Sequence, residues 1–325
     1  MTVEYMRCKG LRIVIIIMAV GLFPLMSCAS RGAIKAEEYF SIGMAYYDMG
    51  KYAEAEQWLN RAKAADRTMT ASEYNLGRIA FETGRYEEAA LNFESILKRD
   101  PENIMALKSA AYSRIKNGDL GKAEELYIRV IALVPDNVDD GYNYALVLYG
   151  VGKYEECENV LNKYRYSLDE NAHSALLLAR AQKALDRIEA ADSYAKWLSI
   201  STGVNAQGLY EYAQVLESAE LYARALEQYR DAINANTNDS GDLKNSTIRF
   251  ERARLLLTAD PENPEGLAEL STAVNEGFSN DASIEDLLND GRIKPENREE
   301  IRNILNSMLG KNEEAEIEEE KEVDE

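Results

Sequence analysis

A single histidine, His173, supplies all the imidazole in 325 residues. That excludes a paired-histidine metal site and leaves no serine–histidine or cysteine–histidine dyad. Three cysteines, Cys8, Cys28 and Cys157, are too few for a disulfide scaffold. Positive charge is also scarce: 37 lysines and arginines face 57 acids, for a net charge of −20 and a pI near 4.7. Such a chain is a poor match for a phosphate backbone, so nucleic-acid binding is excluded. Six prolines are few for this length, and no glycine-rich phosphate loop follows a strand pattern. Asp136-Asn137-Val138-Asp139-Asp140-Gly141 fails as a calcium loop, because Val138 and Val147 stand where ligand oxygens are needed. No cofactor is implied. What is abundant is alanine, leucine, glutamate and tyrosine, with 46% hydrophobic residues, so a folded helical body is favoured over sheet.

The N-terminus reads as an address. Arg7, Lys9 and Arg12 precede an apolar run from Ile13 to Met26, followed by Ser27-Cys28-Ala29-Ser30. Fourteen residues rise about 21 Å as a helix, short of the roughly 30 Å hydrocarbon layer. The layout is that of a cleaved secretory signal. Leu25-Met26-Ser27-Cys28 resembles the bacterial lipobox, whose cysteine is acylated and becomes the first mature residue. The resemblance implies a lipoprotein signal peptide over 1–27, a lipidated linker over 28–35, and anchorage by Cys28 at a cell or outer membrane, facing the periplasm. Ala29 at the next position favours the outer membrane by analogy with enteric bacteria. The alternatives are an ordinary signal peptide and a single span by an uncleaved N-terminal segment. Removing 1–27 takes away +2 and leaves a mature chain of −22. Cys28→Ser should abolish palmitate labelling and release the protein from the membrane fraction; unchanged labelling would exclude the anchor.

The middle of the chain repeats with a period of thirty-four, without insertion or deletion. Ala55, Ala89, Ala123, Cys157, Ala191 and Ala225 form one small column, and Gly43, Gly77, Ala111, Ala145, Ala179 and Ala213 a second. Tyr52, Tyr86, Leu120, Tyr154, Ile188 and Tyr222 form a third, preceded by turn glycines at Gly50, Gly84, Gly118 and Gly152. Phe93, Tyr127, Leu161 and Tyr229 are expected to fill the space between helices. Cys157 reads as a small buried residue in an alanine column. These columns resemble the tetratricopeptide repeat, best seen as Tyr74-Asn75-Leu76-Gly77 through Gly84, Tyr86, Ala89, Phe93 and Pro101. The resemblance implies an all-α solenoid, a right-handed superhelix of helix-turn-helix repeats. Six repeats are expected over 36–239, as 36–69, 70–103, 104–137, 138–171, 172–205 and 206–239. In the fifth and sixth, Asp186 and Glu220 replace the turn glycine, which predicts looser turns.

Beyond 239 the register weakens. Helices are expected over Asp242–Ala259, Glu265–Gly277, Ile284–Leu288 and Glu299–Leu309, making a degenerate helical cap over 240–310. Residues 311–325 hold nine acids and two lysines, a solvated acidic tail.

Function is expected on a surface. The stripe beside the buried columns of each first helix lines the concave groove in proteins of this family. It carries Phe40, Met44 and Tyr47; Tyr74, Arg78 and Phe81; Lys108, Tyr112 and Ile115; Tyr142, Leu146 and Tyr149; Leu176, Arg180 and Lys183; Tyr210, Gln214 and Glu217. Eight of these eighteen are aromatic, and Arg78, Lys108, Arg180 and Lys183, with Lys116 beside them, are cations in an acidic chain. The expectation is a non-enzymatic adaptor that binds another protein or peptide of the cell envelope, of acidic character, through these cations and the tyrosine anchors Tyr112, Tyr142 and Tyr149. Similar lipoproteins assist outer-membrane or pilus assembly, adapt proteases, or partner solute-binding proteins. The family's carboxylate clamp is absent, since Tyr74 and Arg78 fill its slots. The alternatives are a small-molecule binder that takes an organic acid in the groove, and a structural spacer.

Overall fold

Asn103, Asn137, Asn171 and Asn205 recur at the same interval as the small columns, each immediately ahead of a helix. Their side-chain oxygens accept from the backbone N–H groups of Ala106, Asp140, Ser174 and Gly208 at 2.7–3.1 Å. Each satisfies a helix-end donor worth about 1 kcal/mol. This fourth column opens the first helix of repeats 3 to 6 and explains Asp136–Gly141 as a cap and turn rather than an ion loop.

The computed structural model describes residues 35–237 and 242–305, and all regular structure there is helical. Cys28, the apolar run and the acidic tail lie outside these residues. The chain divides into two compact units, up to Lys153 and from Tyr154 onward. The first unit holds α1 (35–48), α2 (Tyr52–Ala65), α3 (Thr70–Glu82), α4 (Tyr86–Leu97), α5 (Ile104–Lys116), α6 (Leu120–Leu133) and α7 (Val138–Gly150). The second holds α8 (Tyr154–Lys163), α9 (Arg165–Leu168), α10 (Ala172–Ala184), α11 (Ala190–Ile200), α12 (Ala206–Ser218) and α13 (Tyr222–Ala235). It continues with α14 (Asn245–Ala259), α15 (Glu265–Asn275), α16 (Asp281–Asn289) and a helix over 295–305, α17.

Within each unit the hairpins stack through the small columns. Ala55, Ala89, Ala123, Cys157 and Ala225 are fully buried. A side chain at Gly77 would put its first carbon 2.8 Å from the Phe93 ring, so the close approach of α3 and α4 requires glycine. Phe93, Tyr127, Leu161 and Tyr229 are buried as the columns predict. Burial pushes the Cys157 thiol pKa up to about 12, with Glu158 adding to it, which suits a packing residue rather than a reactive one.

The turns of repeats 5 and 6 are the same turns, not looser ones. Gly50, Gly84, Gly118 and Gly152 have φ between +70° and +83°, and Asp186 and Glu220 adopt φ of +52° and +59°. A side chain in that left-handed region costs about 1 kcal/mol. Glu220→Gly should therefore raise stability by about 0.5–1 kcal/mol, seen as a higher melting midpoint of the second unit.

Two local departures follow from helix ends. Ile188 is 84% exposed, because α11 begins only at Ala190, whereas the other five members of its column open their helices. The second helix of repeat 4 stops at Lys163 and resumes as the short α9, leaving a cleft of about 480 Å³ beside α10 and α11. Downstream, α14 and α15 form a hairpin whose core includes Phe250 and Phe278, stacked at 4.0 Å between ring centres. Helix α14 starts at Asn245 and α15 ends at Asn275, slightly inside the expected bounds, while α16 is longer than expected. Pro295 opens α17, which begins four residues before the expected Glu299, in keeping with proline's fixed φ and missing N–H.

Candidate functional site

Successive turns of a first helix bring residues three and four apart onto one face. On α5 that face carries Met105, Lys108, Tyr112 and Ile115, with Lys116 alongside. Side chains from first helices of neighbouring repeats meet across this surface. In the first unit the Arg78 guanidinium lies 4.6 Å from the centre of the Tyr47 ring, and its Nη2 donates to the Tyr47 hydroxyl at 2.9 Å. Its Nη1 donates to Asn75 at 3.0 Å. Phe81 stacks on Tyr112 at 5.1 Å, and Lys116 Nζ sits 5.5 Å from the centre of the Tyr112 ring. Tyr74 reaches Ser109 at 3.0 Å. Phe40 packs half-buried against the cluster of Ala55 and Leu59, and Tyr142 and Tyr149 are also half-buried.

The same spacing recurs in the second unit, with different chemistry. Arg180 Nε donates to Glu211 at 2.7 Å, and Lys183 Nζ donates to the Gln214 side-chain oxygen at 2.6 Å. Burial pulls Lys183 below its ordinary pKa; Glu211 opposes that and Arg180 reinforces it.

This geometry corrects one expectation. The sequence suggests cations free to receive an acidic partner. Lys108 instead holds Asp140 of the following repeat at 2.6 Å, and Arg180 holds Glu211 at 2.7 Å. The Asp140 side chain is 4% exposed and that of Glu211 15%, and a charge buried that far is costly unless it is paired. Asp140 and Glu211 carry no column signal of their own; only their position one repeat beyond a cation points to them. Large apolar side chains stay open on this face of the first unit: Met105 is 62% exposed, Tyr112 47% and Leu146 41%. Met105 escapes the sequence reading because it lies one turn before the first counted position of its stripe.

Among the described residues no group of side chains could hold a metal ion, and no helix is long and apolar enough to cross a membrane.

Two tetratricopeptide-repeat family models match the chain, over residues 36–68 and 74–138. An uncharacterized lipoprotein of Treponema pallidum (strain Nichols) is 24% identical over 164 residues, covering 50% of this chain and 84% of its own. The human protein O-mannosyl-transferase TMTC3 is 27% identical over 127 residues, which are 38% of this chain but 14% of that protein. A tetratricopeptide repeat protein from Parabacteroides merdae ATCC 43184 matches with a TM-score of 0.54 at 19% identity, over 78% of this chain and 97% of its own. The fold is that of an all-α tetratricopeptide-repeat solenoid.

Proposed function

We propose that this array of tetratricopeptide repeats is a non-enzymatic interaction scaffold, held by lipid on Cys28 at a bacterial envelope membrane. The concave stripe of the first unit is its docking surface. One observation carries the reading: Met105, Tyr112 and Leu146 are large apolar side chains left exposed on first helices. Exposed apolar residues grouped on one face mark interaction sites. Burying a Met or Leu side chain contributes about 1.5–3 kcal/mol, and tyrosine serves as a rigid anchor. Arg78 and Lys116 flank the stripe, and no carboxylate pairs with either among the described residues. The segment that fits is therefore mainly apolar, with a carboxylate at its edge rather than acidic throughout. The T. pallidum relative's name supports the lipid-anchored part of the reading.

The test is cross-linking in native envelopes followed by mass spectrometry of the captured partner. Tyr112→Glu with Leu146→Glu should weaken capture by at least about tenfold, the loss of one anchor's burial, without changing helix content. Capture that survives the double variant would place the surface elsewhere.

A further inference from the structure

Lys183 is the half-buried cation of the second unit that the repeat ladder leaves without a carboxylate. Its ammonium donates to one neutral amide oxygen, Gln214, at 2.6 Å, and no ion pair to it exists among the described residues. It opens into a cleft of about 420 Å³, a volume within the range of small-ligand sites. Two further cations reach the same cleft from distant parts of the chain, Arg254 on α14 and Arg292 in the turn before α17. The two carboxylates in the lining are already engaged. Glu217 accepts from Arg254 at 2.6 Å through one oxygen and from the Tyr229 hydroxyl at 3.1 Å through the other. Glu251 accepts from Arg254 Nε at 2.7 Å. Arg292 grips Asp290 through Nε and Nη2 at 2.7–3.3 Å, which leaves its Nη1 edge open. Tyr222 and Tyr229 form the apolar wall.

We propose that this cleft is a carboxylate-binding site, with Lys183 and the open edge of Arg292 as the receiving groups and Arg254 as a fixed background charge. The lining carries three cations against two acids in a chain of net −20, so an anion is repelled less here than by the acidic chain as a whole. A carboxylate would give Lys183 the charged partner that burial makes valuable, through charge-assisted hydrogen bonds. The proposal is independent of the docking surface on the first unit.

Two sources supply this chemistry: a free small organic acid, or the acidic side chains of residues 311–325. Reach does not separate them, because the twenty residues after 305 span up to about 66 Å when extended. Succinate and a synthetic peptide of residues 311–325 are the probes, titrated by calorimetry and by ¹H–¹⁵N chemical shifts. The proteins are the detergent-solubilised full chain and the same chain with its nine tail acids changed to glutamine or asparagine. The expected result is saturable succinate binding to the tail-neutral chain, with shifts at the backbone amides of α10 and Arg292. Lys183→Met should weaken it by about tenfold and Arg292→Gln by about threefold, the range for charge-assisted contacts, with helix content unchanged. If the tail is the natural source, the unaltered chain binds succinate at least fivefold more weakly and the tail-neutral chain also takes the peptide. If a free acid is the source, both chains bind succinate equally and the peptide does not compete. Absence of binding by either probe, or binding indifferent to both substitutions, overturns the site.

Discussion

Ala123→Glu should cost more than about 4 kcal/mol and abolish cooperative folding of the first unit. Ala123 is fully buried within a cluster that includes Phe93, Leu107, Tyr127 and Val130. A glutamate there must either bury an unpaired charge or force α6 away from its neighbours, and both exceed the cost of ordinary substitutions. In a stack the damage does not stay local, because each hairpin is stabilised chiefly by the ones beside it. Far-UV circular dichroism should show a large loss of helix, with the first unit melting early. Val323→Glu, in the acidic segment, should leave the melt unchanged. Equal and negligible effects of the two would refute the register of the repeats.

The second large effect concerns Arg114, whose side chain is 2% exposed yet charged. Its guanidinium donates to both oxygens of Glu94, at 2.8 and 3.0 Å, to Glu87 at 2.5 Å and to Asp119 at 3.0 Å. It thereby ties α4, α5 and the start of α6 together. Hydrogen bonding by Glu94 holds the guanidinium charged above its ordinary pKa against the opposing pull of burial. Arg114→Ala leaves three carboxylates converging on an empty space. Because those carboxylates reach solvent, the loss should be about 2–3 kcal/mol, below that of a fully enclosed pair.

The gap between the two proteins should then depend on pH. In the native protein, Asp119 is held below the usual carboxylate range by hydrogen bonds from Asn117 and Arg114. Burial raises Glu73, but Ser95, Lys63 and Arg99 outweigh it and leave its carboxyl low as well. The stability from both groups is present above their unfolded pKa and is lost as pH falls through the folded value. In Arg114→Ala the three acids repel one another, so protonation relieves strain and acidification toward about pH 4 should narrow the gap to the native protein. Denaturant midpoints measured from there to neutrality check this, and a gap that widens on acidification would contradict it.

The architecture was legible because packing constrains residue size at fixed intervals. Ala123, Gly77 and Phe93 could be placed from spacing alone, since only small residues permit the helix contact and only large ones fill the gap beside it. The capping asparagines share the same interval but lie just outside the helices, where an apolar column carries no signal for them. At Asp186 and Glu220 the residue type misleads for another reason: the turn is imposed by the helices on either side, so a strained residue adopts it. The contacts on the first-helix face were half legible. Aromatic enrichment located the stripe, but whether Lys108 is open to a partner depends on Asp140, which belongs to the next repeat and a helix that the sequence does not visibly place beside it.

That cross-repeat wiring bears on how such an array can change over generations. The core of each hairpin is portable: any repeat of this length with the right small and large positions can stand next to any other. The face of the first helices is not. Moving the third repeat elsewhere would leave Lys108 facing a residue other than Asp140, and moving the sixth would strand Arg180 without Glu211. Recombination can therefore lengthen the array freely, whereas its first-helix face must be rewritten two neighbours at a time.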